Sequence, residues 1–246
     1  MESKLANAIG LELSPVAIFF GGQPHGHYAH FEKGRHGCVI NMLYMAAKGI
    51  PAVMERQNFG CSGIGACGGR VITAGDSGFT SALNSSAIDS DEYAKTVFLG
   101  ASSSSTPVPF DKIPQQFVVF KPFSLLNIDR EPPRLVGFLA NPDQLAALIM
   151  LATYECSPDY QPVLSCSPSC RSIVLEPYEE ARREESRPVV GNLELLLRHR
   201  VPAEMLSFTV SFKKYASMEK ALSASGVEKL SWDLMSRRSD AKRKKK

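Results

Sequence analysis

The chain reads as an α+β protein, a single compact domain in which helices pack against a mixed or antiparallel sheet. Short apolar runs bounded by glycine or proline alternate with helix-like stretches that carry recognisable caps. Neighbouring strands are not always separated by a helix, as at Gln116 to Pro122 and Arg134 to Ala140, which argues against a doubly wound parallel sheet. With 44% hydrophobic and 22% charged residues over 246 positions, the chain has the composition of a globular protein able to bury a sizeable core.

The elements follow in order. Lys4 to Leu11 reads as a short helix ending near Gly10, and Ser14 to Gly22 as a buried strand stopped by paired glycines. A loop with His25, His27, His30 and His36 follows; four histidines within twelve residues suggest metal binding, but their spacing fits no common zinc pattern and polar loop histidines are the favoured reading. Cys38 to Lys48 is predicted helical, opened by Cys38 and closed by Gly49 and Pro51. Ala52 to Phe59 is extended, Val71 to Gly75 a short strand, and Ser90 to Phe98 a helix before the turn at Ser102 to Pro107. In the second half, strands are predicted at Gln116 to Pro122, Arg134 to Ala140, Val163 to Cys166, Leu193 to Leu197 and Met205 to Val210. Helices are predicted from the Asn141 cap with Pro142 in its first turn to about Tyr154, from Arg171 to Glu185, and from Lys213 to Ser223. Residues 1–225 make the domain; 226–246 add a C-terminal helix and a basic, disordered tail.

Charge is concentrated in that tail. From Arg237 to Lys246 there are seven basic residues and one acid, so a segment of +6 sits in a chain of +3 and leaves the body at −3. No aromatic residues interleave with its cations as stacking on nucleic acid requires, so no nucleic-acid partner is expected. An N-terminal secretion signal and a long apolar run are both missing from the sequence, which predicts a cytoplasmic protein without a membrane span. There, thiols stay reduced and disulfides are rare.

The six cysteines are the strongest functional signal. In Gly60-Cys61-Ser62-Gly63-Ile64-Gly65-Ala66-Cys67-Gly68-Gly69, two thiols separated by five residues lie on a backbone with five glycines, which lets amides approach whatever the sulfurs hold. Cys38 and Cys170 each precede a predicted helix. A helix start carries unpaired amide donors and a partial positive charge, which favours a thiolate. Soft thiolates select zinc, copper(I) or iron–sulfur clusters. Structural zinc prefers closely paired cysteines, and only Cys166 to Cys170 approaches that spacing; clusters accept ligands from scattered loops. The alternative is that several cysteines are small buried hydrophobes, and for Cys156 at a helix end that reading is preferred. A third reading is nucleophilic catalysis by one activated cysteine with His36 or His199 as base. Arg198 and Arg200 beside His199 suit an anionic substrate or a plain surface patch. Neither a dinucleotide fingerprint nor a phosphate-binding P-loop is present.

Several of these pieces, taken in order, resemble a known family. They are Leu13-Ser14-Pro15-Val16-Ala17-Ile18-Phe19, Gly37-Cys38, Phe59-Gly60-Cys61-Ser62-Gly63 with Ala66, the run from Gly137 to Gln144, and Cys170-Arg171-Ser172-Ile173. Arg198, Val201-Pro202, Leu206 to Val210 and the helix of Met218 continue the pattern. Together they resemble domain of unknown function family 169 over about residues 5–223. The resemblance implies a fold neighbourhood and no reaction. It also ranks Cys38, Cys61 and Cys170 above Cys67, Cys156 and Cys166, while Ser62 and Ser211 stand where the family pattern has proline.

The expectation is an iron–sulfur cluster, or zinc, held by Cys38, Cys61 and Cys170 with Cys67 or Cys166 as fourth ligand and Gly60 and Gly63 shaping the loop. Its partners would be a small-molecule ligand or a redox protein. The competing expectation is a cofactor-free ligand-binding or scaffold module whose cysteines are structural.

Overall fold

A computed structural model describes residues 2–22, 24–30, 38–55, 117–128, 131–165, 169–193 and 201–227. The elements are α1 (Lys4–Ala8), β1 (Val16–Gly21), β2 (Ala29–His30), α2 (Val39–Ala47), β3 (Ala52–Glu55), β4 (Phe117–Pro122), β5 (Leu135–Ala140), α3 (Pro142–Thr153), β6 (Val163–Leu164), a π-helix (Arg171–Leu175) continuing into α4 (Glu176–Glu180), β7 (Val189–Gly191), β8 (Leu206–Ser211) and α5 (Phe212–Ala224). The predicted strand at Val71 to Gly75 and helix at Ser90 to Phe98 lie outside the described residues.

All eight described strands join one mixed sheet in the order β2-β3-β4-β1-β5-β8-β7-β6. The six inner strands pair antiparallel with one another, whereas each edge pair, β2 with β3 and β6 with β7, is parallel. The fold is α+β, as its sequence pattern predicts.

Successive side chains on each strand face opposite sides, so the sheet divides the core in two. One face, with Ile18, Met54, Phe120, Leu135 and Leu139, is covered by α2, the π-helix and α4. The other, with Ala17, Val136, Phe138, Phe208 and Val210, is covered by α1, α3 and α5. A fully buried large apolar side chain contributes about 1.5–3 kcal/mol. Burial on these two faces therefore outweighs the intrinsic stability of helices as short as α1, which alone would not form.

Local chemistry sets the boundaries. Asn141 and Gln144 form a reciprocal capping box at the start of α3, and the Gln144 Nε2 also donates to Gly10 O at 2.8 Å. Gly49 takes φ +97° just after α2, where a side chain would be strained. Ser211 is the N-cap of α5. Its hydroxyl accepts from Lys214 N at 3.1 Å and lies 2.6 Å from Ser186 Oγ.

Two helix ends differ from the sequence reading, and one strand is added to it. Helicity after Cys170 stops at Glu180 rather than Glu185, because the Glu180 carboxylate accepts from the Arg187 backbone and guanidinium and pulls the chain back on itself. Val189–Gly191 is a strand that the sequence pattern does not mark, fixed by pairing with both β8 and β6, while residues 194–197 of the predicted strand Leu193 to Leu197 lie outside the described residues. The first helix ends at Ala8, with Gly10 at φ +58° completing the turn.

Candidate functional site

Cys38 precedes α2, Cys170 lies at the beginning of the described helical stretch 169–180, and both lie in the core cluster on the α2 side of the sheet. Cys38 is the extended N-cap residue of α2, and its carbonyl accepts from Asn41 N at 2.9 Å. Cys170 lies in the first turn of the helical stretch 169–180. They are 3% and 1% exposed, so neither is open to bulk solvent. Two residues far apart in sequence are thus brought to one buried layer. Cys61, Cys67, Cys166, Gly60 and Gly63 lie outside the described residues, as do His36 and His199. Among the described residues no group of three or more His, Cys, Asp or Glu side chains is arranged to hold a metal. His25, His27 and His30 are exposed.

The segment after Cys170 is wound as a π-helix before returning to α-helix at Glu176 and Pro177. Pro177 has no N–H to donate backward and its ring crowds the preceding turn, and the wider winding relieves both. Such single wide turns recur at functional sites. Arg171 Nε is held by Glu176 Oε1 at 2.7 Å.

Beneath this turn the sheet changes character. On β8, Phe208 and Val210 serve the other core, so Ser207 and Thr209 face the cysteine layer. Ser207 is paired with Gly191 on β7 and Leu139 on β5; Thr209 is paired with Val189 and Gly137. The two glycines set the packing distance. A Cβ at Gly191 would lie 2.4 Å from Ser172 Cβ, and one at Gly137 would lie 2.9 Å from Leu43 Cδ1. The π-helix and α2 therefore each settle onto a bare stretch of strand. The hydroxyls of Ser165, Ser169, Ser207 and Thr209 are fully buried without a hydrogen-bond partner among the described residues. Buried hydroxyls are ordinarily paired, which makes these four, with Ser207 and Thr209 on the sheet face that carries the cysteine layer and Ser169 next to Cys170 in the chain, a distinctive feature. Asn192, buried at φ +60°, follows β7 and donates from Nδ2 to Met205 O at 3.4 Å.

None of these hydroxyl residues was singled out from the sequence. The signal was the alternation Ser207-Phe208-Thr209-Val210, in which the polar set occupies a face that burial on both sides of the sheet makes interior.

A family model described as "uncharacterised ArCR" matches residues 4–221, from the first residue of α1 into α5. The chain belongs to domain of unknown function family 169. Membership in family 169 thus covers both faces of the sheet and both described cysteines of the candidate site. No curated protein and no solved structure matches the chain.

A second feature lies apart from the cysteines. A cleft of about 560 Å3 opens between α1 and α5, lined by Lys4, Asn7, Ala8, Glu219, Leu222 and Ser223. One oxygen of Glu219 accepts from Ser3 Oγ, the Leu5 backbone N–H and the Tyr215 hydroxyl, so the carboxylate is occupied in fastening α1 to α5. Among the described residues, neither Cys38 nor Cys170 lines it. Among the described residues no helix is long and apolar enough to cross a membrane.

Proposed function

We propose that this family 169 protein binds an iron–sulfur cluster, with zinc as the alternative metal, through Cys38, Cys61 and Cys170, and that Cys67 or Cys166 completes the ligand set. One observation carries the reading: Cys38, the N-cap of α2, and Cys170, in the first described turn of the helical stretch 169–180, lie within a single buried layer. Helix-start amides stabilise anionic sulfur, and scattered thiolate ligands suit a cluster better than a structural zinc site. The segment carrying Cys61 and Cys67 leaves β3 after Glu55 and returns at Phe117, which is paired with Glu55, so both its ends are anchored at one end of the sheet. Gly60 and Gly63 would let backbone amides approach the sulfurs there.

When bound, a cluster supplies electron transfer or an iron open to substrate. The chain's own contribution is to bury two of the proposed ligands, Cys38 and Cys170, away from water. The function that follows is redox or cluster-assisted conversion of a small molecule, with a redox protein as the electron partner.

The test is anaerobic purification followed by a visible spectrum and iron, sulfide and zinc analysis. Broad absorption near roughly 400 nm with matching iron and sulfide is the expected result, lost on replacing any of the three cysteines by serine. Full metal retention in all three variants would overturn the assignment.

A second reading rests on the near-complete burial of Cys38 and Cys170 among aliphatic side chains. Buried free cysteine behaves as a small hydrophobe, so this face would then be the core of a cofactor-free binding module. A colourless, metal-free and folded protein is its signature.

A further inference from the structure

On the face of the sheet away from Cys38 and Cys170, the end of α3 and the start of α5 bring a thiol and an amine together. Lys214 Nζ lies 3.4 Å from Cys156 Sγ and 3.2 Å from Ala152 O, and stands over the Tyr160 ring 4.6 Å from its centroid. Three partners from the α3 terminus and the following turn thus fix one ammonium group beside one sulfur. The thiol itself points to Ala152 O at 3.5 Å, and Tyr160 is held from behind by its hydroxyl, which donates to Ser186 O at 2.6 Å. Cys156 and Lys214 are both half-buried, so a small oxidant reaches the sulfur. The sheet separates this thiol from the other two described cysteines.

We propose that Cys156 and Lys214 form a reversible oxidative cross-link, a sulfenamide joining Sγ to Nζ. Hydrogen peroxide first oxidises the thiol by two electrons: the sulfur takes one peroxide oxygen, the O–O bond breaks, and the second oxygen leaves as water, giving a sulfenic acid. Lys214 then gives one proton to solvent, its nitrogen lone pair attacks Sγ, and the S–O bond breaks. The departing hydroxide takes a second proton from nitrogen and leaves as water. Counted from the neutral thiol and amine, the protein has lost two hydrogens and gained one S–N bond, and the ammonium's extra proton has gone to solvent. Condensation of a sulfenic acid with a nitrogen is an established step of cysteine oxidation, ordinarily limited by whether a nitrogen is within reach. Here the fold supplies it. The link ties α3 to α5, removes the Lys214 charge from the Tyr160 ring, and reverts when a thiol attacks the sulfur.

The test is to treat the full-length protein with hydrogen peroxide, digest it without reductant and analyse the peptides by mass spectrometry. The expected product joins the Cys156 peptide to the Lys214 peptide with a net loss of two hydrogens, and dithiothreitol removes it. Lys214→Arg keeps a cation over the ring but offers no comparable nucleophile, so the link should vanish while Cys156 proceeds to the sulfinic acid. Cys156 found only as a sulfinic acid, a sulfonic acid or a disulfide, with Lys214 unmodified in the unsubstituted protein, overturns the proposal. So does an undiminished loss of two hydrogens at Cys156 in Lys214→Arg.

Discussion

Ser172 of the π-helix rests directly on Gly191 of β7: a side-chain carbon at position 191 would lie 2.4 Å from Ser172 Cβ and 3.0 Å from Ser207 Oγ. Ser207 Oγ can swing aside, but Ser172 Cβ is fixed to its backbone, so the strand or the helix must move. Gly191→Ala is therefore expected to lose about 1–3 kcal/mol by overpacking. Urea denaturation measures it, and a variant as stable as the parent would show that the contact yields freely. Because the same shift displaces the turn that carries Cys170, any metal held under the proposed assignment is expected to be lost with it.

The cap of α3 makes a separable contribution. Asn141 Oδ1 accepts from Gln144 N at 2.9 Å, and Gln144 Oε1 accepts from Asn141 N at 3.0 Å. Asn141→Ala should cost about 1 kcal/mol. Gln144→Ala should cost at least as much, because it also leaves Gly10 O without its side-chain donor in a part-buried site. The order of the two denaturation midpoints checks this, and an Asn141→Ala loss clearly above that of Gln144→Ala would contradict it.

Much of this architecture is legible from local chemistry. Cys38 before α2, Gly49 after it, and Asn141-Pro142 before α3 are caps whose signals span only a few residues, and each element stands where those signals place it. Long-range facts are less legible. That Val189–Gly191 forms a strand depends on β8 and β6 arriving beside it, and the π winding at Arg171 depends on Pro177 meeting a helix already packed on Gly191. The hydroxyl-lined patch escapes sequence reading for a similar reason: serine and threonine in a strand ordinarily mark a solvent face, and only the second layer of helices makes Ser207 and Thr209 interior.

Alkaline pH should weaken the fold. Burial, followed by the hydrogen bond to Glu219, holds the Tyr215 phenol above its ordinary range, and burial, followed by the Cys156 sulfur, does the same for Tyr160. Both phenols stay protonated in the folded state where the unfolded chain ionises. Their contribution is thus complete below pH about 10 and is lost as pH rises above it, by up to about 1.4 kcal/mol per pH unit for each tyrosine. Tyr215→Phe should remove one tyrosine's share of that slope. Stability measured by denaturation between neutral and strongly alkaline pH tests it, and an unchanged slope in Tyr215→Phe would assign the loss elsewhere.

Among the described cysteines, native-state alkylation should select Cys156. It is half-buried, whereas Cys38 and Cys170 are reached only through local opening. Brief treatment with a small reagent, read by peptide mass, is expected to modify Cys156 well ahead of the other two. Equal labelling of all three would mean that the α2 layer opens readily.

The last prediction separates a ligand from a core residue at Cys38. As a packing residue, its replacement by Ala leaves a small cavity in an apolar cluster, while replacement by Ser also buries a hydroxyl at a cost of about 1–3 kcal/mol unless it finds a partner. A purely structural Cys38 therefore makes Cys38→Ser less stable than Cys38→Ala and leaves metal content at background in every variant. A ligating thiolate gives a different pattern. Both replacements remove the same sulfur–metal bond, so both lose iron or zinc to the same extent, and both also lose the stabilisation that metal binding adds to the folded state. The decisive comparison is unfolding of the parent with and without chelator beside both variants. Chelator should bring the parent down toward Cys38→Ala and leave Cys38→Ala itself unmoved, whereas a parent indifferent to chelator returns Cys38 to the core.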